Sequence, residues 1–149
     1  MLEDIFAEIY TKFKMHFYRQ VFKGVGSSET NLTTVEIFCM ECITSLNDPT
    51  VAEFSRFMNI STPNAAYKVN NLVQKGYVEK IQSAQDKREF HLRPTKKYLE
   101  YSDVSDSYIK AVMNRAKDRF SEEEIRKIED LLRIVSEELM QDPLSFPLT

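Results

Sequence analysis

The sequence predicts a mainly α-helical fold with one small β-hairpin, and three features carry that reading. Gly and Pro are scarce, at 3 and 5 of 149 residues, which favours long helices over sheets and loops. Apolar residues recur at helical spacing along most of the chain. The exception is a pair of short extended segments, YVEKIQ and EFHLRP, flanking the turn-like SAQDKR. A chain of this length is one domain by size, or two small subdomains sharing a core.

The first helix covers 2–22, where Leu2, Ile5, Phe6, Ile9, Phe13, Phe17 and Val21 make a wide apolar stripe. GVGSSETN, 24–31, is a Gly/Ser loop. LTTVEIFCMECITSL then opens with Thr33 three residues ahead of Glu36, a capping-box pattern. Its apolar residues recur around the helix, so burial on most sides is expected. NDPT is a turn, and VAEFSRFMN is a short helix with Val51, Phe54, Phe57 and Met58 inward. Asn59 follows, and Asn tolerates the left-handed geometry of a tight turn.

Ser61 caps the next helix, Pro63 sits in its first turn, and Gly76 ends it. Two helices joined by so tight a turn form a helix-turn-helix. In the second of them, Ala65, Val69, Leu72 and Val73 share one side. The other side shows Asn64, Tyr67, Lys68, Asn70, Asn71, Gln74 and Lys75, and no acid occurs between Ser61 and Tyr77. The hairpin comes next, with Phe90 and Leu92 on one face and Lys80, Gln82, His91 and Arg93 as candidates for the wet face.

After Thr95 a polar helix rich in Tyr (Tyr98, Tyr101, Tyr108) runs to about Phe120, with Val104, Val112 and Phe120 as its apolar residues. SEEEIRKIEDLLRIVSEELMQ starts with a second capping box, Ser121 and Glu124. There Ile125, Ile128, Leu132, Val135 and Leu139 alternate spacings of three and four, a seam for another helix. The tail, DPLSFPLT, is irregular. The expected organisation is a winged helix-turn-helix lobe, 32–94, set in a helical dimerisation region, 1–31 and 95–149, as one intertwined domain. The outer helices carry more apolar stripe than so small a lobe can cover, which points to a partner subunit.

The net charge of −3, read globally, argues against a nucleic-acid partner. Counted locally, residues 50–97 hold nine Lys and Arg against four Asp and Glu, a balance of +5 that leaves −8 for the rest. A basic middle between acidic ends is an electrostatic footprint for a polyanion. The sequence has no phosphate-binding Gly loop, no metal-ligand cluster and no nucleophile motif, so neither an enzyme nor a cofactor is expected. Glu122, Glu123 and Glu124 suit the dipole at a helix N-terminus. Cys39 and Cys42 form a CxxC inside an apolar helix and read as small core residues. No window resembles a membrane span, and the acidic, amphipathic MLEDIFAEIY is unlike a signal peptide, so a cytoplasmic location is expected.

Four pieces of the chain resemble the MarR family of bacterial transcriptional regulators. LTTVE, 32–36, is similar to the family's entry into its second helix, and FSRFMNIS, 54–61, to its first helix-turn-helix element. VNNLVQKGYVEK, 69–80, is similar to the end of the recognition helix running into the wing. DKREFHLRPT, 86–95, resembles the wing signature D-x-R-x-x-x-L-x-x-T, the most specific of the four. The chain departs from the usual pattern at Ala66 (often a hydroxyl residue), Tyr67 (often basic), Pro94 and Tyr98. The resemblance implies a homodimer whose two winged lobes straddle one DNA duplex. It also implies an effector site between the dimer helices and the lobe, with derepression as the commonest response.

The chemistry of the residues fits that implication. A helix enters the major groove, and an amide side chain pairs bidentately with adenine. Asn64, Tyr67, Lys68 and Asn71 are the favoured base-facing candidates, and Ser61 and Thr62 at the helix start suit a phosphate. Lys87 and Arg88 lie at the wing tip, and the resemblance makes Arg88 the arginine that enters the minor groove, oriented by Asp86. A small apolar or aromatic effector is the default ligand, with Phe13, Phe17, Phe38, Cys42 and Tyr108 as pocket candidates. Two alternatives stay open. One is a winged helix that binds protein, with Tyr67 as its aromatic anchor. The other is a regulator triggered by a thiol or by a metal held by His16, Cys39 and Cys42.

Overall fold

The computed structural model describes residues 1–24 and 30–142. Most of the Gly/Ser loop, the tail and the side chain of Val104 lie outside the described residues. The elements are α1 (Leu2–Gly24), α2 (Thr34–Ser45), α3 (Val51–Met58), α4 (Thr62–Gln74), β1 (Val78–Gln82), β2 (Phe90–Pro94), α5 (Lys96–Arg119) and α6 (Glu122–Ile134). A π-helical turn, Val135–Leu139, follows α6. The fold is mainly α with a two-stranded antiparallel hairpin, as the spacing of apolar residues predicts. Among the described residues no helix is long and apolar enough to cross a membrane. The chain forms two compact units, Met1–Ser105 and a second beginning at Asp106.

The first unit is built on one core. Ile37, Cys39, Met40 and Ile43 of α2 meet Phe54 of α3, Ala65, Val69 and Leu72 of α4, and Leu92 of β2. Each is essentially inaccessible to solvent, so the two α-helices of the helix-turn-helix are fixed by apolar burial from below. The expected faces hold with exceptions. Phe57 and Met58 are only half-buried, while Ser55 is buried in their place. Val73 on α4, and Val35 and Phe38 on α2, are exposed.

Local signals set where these helices start and stop. Thr33 with Glu36 and Thr50 with Glu53 each form a complete capping box at the starts of α2 and α3. Ser61 caps α4 by accepting the Asn64 N–H at 3.2 Å. α3 ends at Asn59, which is left-handed at φ 52°. There Ile60 N–H reaches Ser55 O and Asn59 N–H reaches Arg56 O, a Schellman closure. Ser55 Oγ donates to Ile60 O at 2.7 Å, so a buried hydroxyl ties the tight turn together. α4 ends the same way, with Gly76 at φ 83° and Tyr77 N–H on Leu72 O.

The wing register pairs Lys80 with Leu92, Gln82 with Phe90, and Glu79 with Arg93. Directly opposed residues share a face of the hairpin. Lys80 and Gln82 therefore lie on the same face as Leu92 and Phe90, not on a common wet face with His91 and Arg93. His91 and Arg93 instead bind the NDPT turn. His91 Nδ1 is 2.8 Å from Asp48 O, and Arg93 Nη2 is 2.7 Å from the Asp48 carboxylate. Thr50 adds a single bridge to His91, and Leu92 N–H donates to Pro49 O at 2.8 Å. The turn thus also serves as a third, minimal rung of sheet.

In the second unit, Ser121 and Glu124 make the expected capping box at the start of α6. Ile125 and Val135 are half-buried, while Ile128, Leu132 and Leu139 are exposed, so most of the seam faces outward. The single helix expected over 121–141 does not stay α-helical. Met140 N–H bonds Val135 O, five residues back, which widens the last turn.

Gly76→Ala isolates a backbone effect. An added Cβ meets nothing closer than the Lys97 side chain at 3.9 Å, so the cost is that of a left-handed backbone on an L-residue. Urea unfolding at neutral pH is expected to show a loss of about 1–2 kcal/mol.

Candidate nucleic-acid interface

α4 carries two unlike faces because its sequence does. The inner face is the core stripe of Ala65, Val69 and Leu72. Asn64, Tyr67, Lys68 and Asn71 share the opposite side at helical spacing, as expected. Tyr67 is 67% exposed and Asn64 is exposed, while Lys68 and Asn71 are half-buried. Ser61 and Thr62 are exposed at the helix start, with the Ser61 hydroxyl serving as the cap.

At the wing tip, Arg88 is held by Asp86 through three contacts. Its backbone N–H and Nε donate to Oδ1 at 3.0 and 3.2 Å, and Nη2 donates to Oδ2 at 3.3 Å. The Arg88 side chain remains 91% exposed. The Arg88 side-chain bonds, then its backbone bond, hold the Asp86 carboxyl below its ordinary range. An exposed pair of this kind adds little stability, but it fixes the direction of a guanidinium. Lys87 is exposed beside it, and its backbone carbonyl accepts from Gln82 Nε2 at 2.7 Å.

Lys75 and Lys97, by contrast, are committed to the fold. Lys75 reads in sequence as a solubilising charge. In the structure it forms a half-buried ion pair with Glu36 at 2.7 Å and donates to Asn31 O at 2.9 Å. Lys97 donates to Lys75 O and lies 4.3 Å from the centre of the Tyr77 ring. Tyr77 OH donates to Asn31 Oδ1 and lies 3.2 Å from Thr30 Oγ1. Tyr98 packs edge-on to Tyr77 and donates to Glu41 at 2.6 Å. Sequence reasoning misses this cluster, because partners such as Glu36 and Lys75 are 39 residues apart and carry no shared local signal. It misses Ser55 as well, although a place one turn before a left-handed Asn is a readable cue.

Of the pocket candidates, Phe17 and Phe38 meet edge-on with ring centres 6.1 Å apart. Phe13 is half-buried, and Cys42 packs against the core. Tyr108 belongs to the second unit. That unit has an open cavity of about 420 Å³ lined by Lys117, Phe120, Glu122, Ile125, Arg126 and Glu129, none of which is a pocket candidate. Cys39 is fully buried, as expected of a core residue. Burial first, then the neighbouring Cys39 and Glu41, push the Cys42 thiol up to about 11, which leaves it protonated at neutral pH. No group of three or more metal-ligating side chains occurs among the described residues.

A helix-turn-helix whose second helix bears an exposed polar face, followed by a hairpin that projects an arginine, defines the class of winged helix-turn-helix proteins. The MarR family model matches residues 32–90. FabT from Streptococcus pneumoniae, in complex with DNA, is similar over 93% of this chain and 97% of its own, at 25% identity and a TM-score of 0.57. A MarR family protein from Bacillus stearothermophilus aligns over 94% of both chains, at 18% identity and a TM-score of 0.63. A mutant MepR from a multidrug-resistant clinical isolate of S. aureus covers 94% of this chain and 98% of its own, at 15% identity and a TM-score of 0.65. No curated protein matches the chain by sequence. Residues 32–90 thus match the MarR family, and the chain has the winged helix-turn-helix fold of these structures. The family consists of transcription regulators, not enzymes.

The Glu36 carboxyl gives the lobe a measurable acid limb. Burial alone would raise it. The bonds from Lys75 and Thr33 outweigh burial and hold it below its ordinary value of 4.5. Its contribution is complete above that value and is lost as pH falls through the lower, folded-state value. Glu36→Gln is expected to lose about 1 kcal/mol at pH 7. The difference from wild type should shrink as denaturant titrations are repeated from about pH 5 down to about pH 3.

Proposed function

We propose that this chain is a sequence-specific, double-stranded-DNA-binding transcription regulator. It acts as a homodimer on a pseudo-palindromic operator, as a cytoplasmic repressor released by a small apolar or aromatic effector. One observation carries the reading: an exposed, acid-free helix face and a 91% exposed arginine belong to the same winged lobe. The first suits the major groove and the second an adjacent minor groove. The DNA complex of FabT supports it by analogy.

In this reading the division of labour follows the chain. The lobe of 32–94 contacts DNA, and 1–31 with 95–149 supply the dimer. Asn64, Tyr67, Lys68 and Asn71 face base edges or flanking phosphates, Ser61 and Thr62 meet a phosphate, and Arg88 enters the minor groove, oriented by Asp86, with Lys87 contacting DNA beside it at the wing tip. Phe13, Phe17, Phe38 and Cys42 contribute to the effector pocket. The protonated Cys42 thiol disfavours a thiol trigger.

Binding-site selection tests the reading. Wild type is expected to select half-sites about one helical turn apart, roughly 34–36 Å. Asn64→Ala or Asn71→Ala should relax preference at one base pair per half-site, by roughly 1–3 kcal/mol. Arg88→Ala should weaken binding while unfolding within about 0.5 kcal/mol of wild type. A protein-binding module with Tyr67 as anchor predicts no salt-dependent duplex affinity at all.

The dimer is tested separately. Leu2, Ile5, Phe6 and Ile9 on α1, and Leu131, Leu132 and Leu139 in the second unit, all expose large apolar side chains. A soluble monomer rarely leaves so much apolar surface uncovered. Sedimentation at micromolar concentration should give twice the 17.5 kDa chain mass. Thermal midpoints should rise with protein concentration. Midpoints independent of concentration, for a folded species of single-chain mass, would refute the dimer.

A further inference from the structure

We propose that Lys80 contacts a DNA phosphodiester and that Asn70 is the positioning residue that aims it. The inference rests on the DNA-binding reading. Asn70 is exposed on α4, one helical turn after Tyr67. Lys80 Nζ donates to Asn70 Oδ1 at 3.1 Å, joining the wing to the second helix of the helix-turn-helix across ten residues of sequence. Both residues are exposed. The strand register explains the reach. Lys80 opposes the buried Leu92, so its side chain leaves β1 on the face turned toward the lobe, where α4 packs.

Two arguments assign the partner. The first is position. If α4 occupies a major groove and Arg88 the neighbouring minor groove, one phosphate strand must run between them. An ammonium bonded to the helix from the wing stands over that strand. The second is charge. Lys75 faces Glu36, Arg93 faces Asp48 and Arg88 faces Asp86, so each of these cations is offset by a carboxylate. Lys80 is held by a neutral amide, which orients the ammonium without reducing its charge. The same bond engages one acceptor site of the Asn70 carbonyl oxygen and so fixes the plane of the amide.

The test measures duplex affinity of the full-length protein against salt, with sequence selection alongside. Lys80→Gln is expected to flatten the salt slope by about one per subunit and to weaken all sequences alike. Lys80→Arg should keep the wild-type slope. Asn70→Ala should weaken binding by about threefold to tenfold with the selected sequence unchanged. The double variant should bind no worse than Lys80→Gln alone. Thermal unfolding of every variant checks that the lobe is intact. A wild-type slope in Lys80→Gln overturns the proposal, as does a changed base preference in Asn70→Ala or additive losses in the double variant. If wild type itself shows no salt-dependent duplex binding, it is the DNA-binding reading that fails.

Discussion

The half-buried pair of Glu36 and Lys75, 2.7 Å apart, ties the end of α4 to the start of α2 and so fixes how the lobe presents that helix. Glu36 already closes the capping box of α2, so the pair joins the start of one helix to the end of another. The Lys75 ammonium also donates to Asn31 O, and the Lys75 carbonyl accepts from Lys97. Two residues on, Tyr77 reaches Thr30 and Asn31, while Thr95 donates to Gly76 O at 2.6 Å and to Tyr77 O at 2.9 Å. Three consecutive residues, 75–77, thereby collect the segment before α2, the end of α4, the entry to the wing and the start of α5. Apolar burial would hold α4 against the core on its own. That burial sets which face of α4 turns inward, but it does not choose an exit angle for β1, because hydrophobic attraction is non-directional. Charge-assisted hydrogen bonds are directional, and they supply that choice here.

Much of this fold is legible in the sequence because its determinants are local. Thr33 with Glu36, Ser61 with Pro63, Gly76 and Ser121 with Glu124 are signals within one turn of helix, and each marks the boundary where it is expected. Asn59 is readable from its tolerance of left-handed backbone, which the structure uses. The exposed side of α4 is legible too, since composition at helical spacing separates it from the core stripe. What escapes is pairing across distance. Asp48 with Arg93, and Tyr77 with Asn31, join residues 45 and 46 positions apart, and neither residue type announces a partner. The wet face expected of the wing fails for a related reason. The alternation along each strand is visible, but which residue opposes which depends on register, and register is set by the turn and by the Pro49 contact.

The same distant pairs change the electrostatic picture. The +5 of residues 50–97 counts Lys75 and Arg93 as free, yet Glu36 and Asp48, both outside that stretch, neutralise them. With those two acids included the surplus is +3. The surplus that remains includes Lys80 beside α4 and Lys87 at the wing tip. A smaller charge concentrated on one side gives a stronger directional field than a larger charge spread around the lobe.

The two faces of α4 also separate two kinds of selection. Ala65, Val69 and Leu72 answer to packing, where a change of one methylene is felt throughout the core. Asn64 and Tyr67 project outward into solvent. Substitution there leaves the folding free energy nearly untouched. On the DNA-binding reading proposed above, such a helix behaves as a replaceable reading head on a fixed mount. Over evolutionary time its outer residues can be exchanged one by one, each change altering which surface it recognises without first requiring a compensating change in the mount.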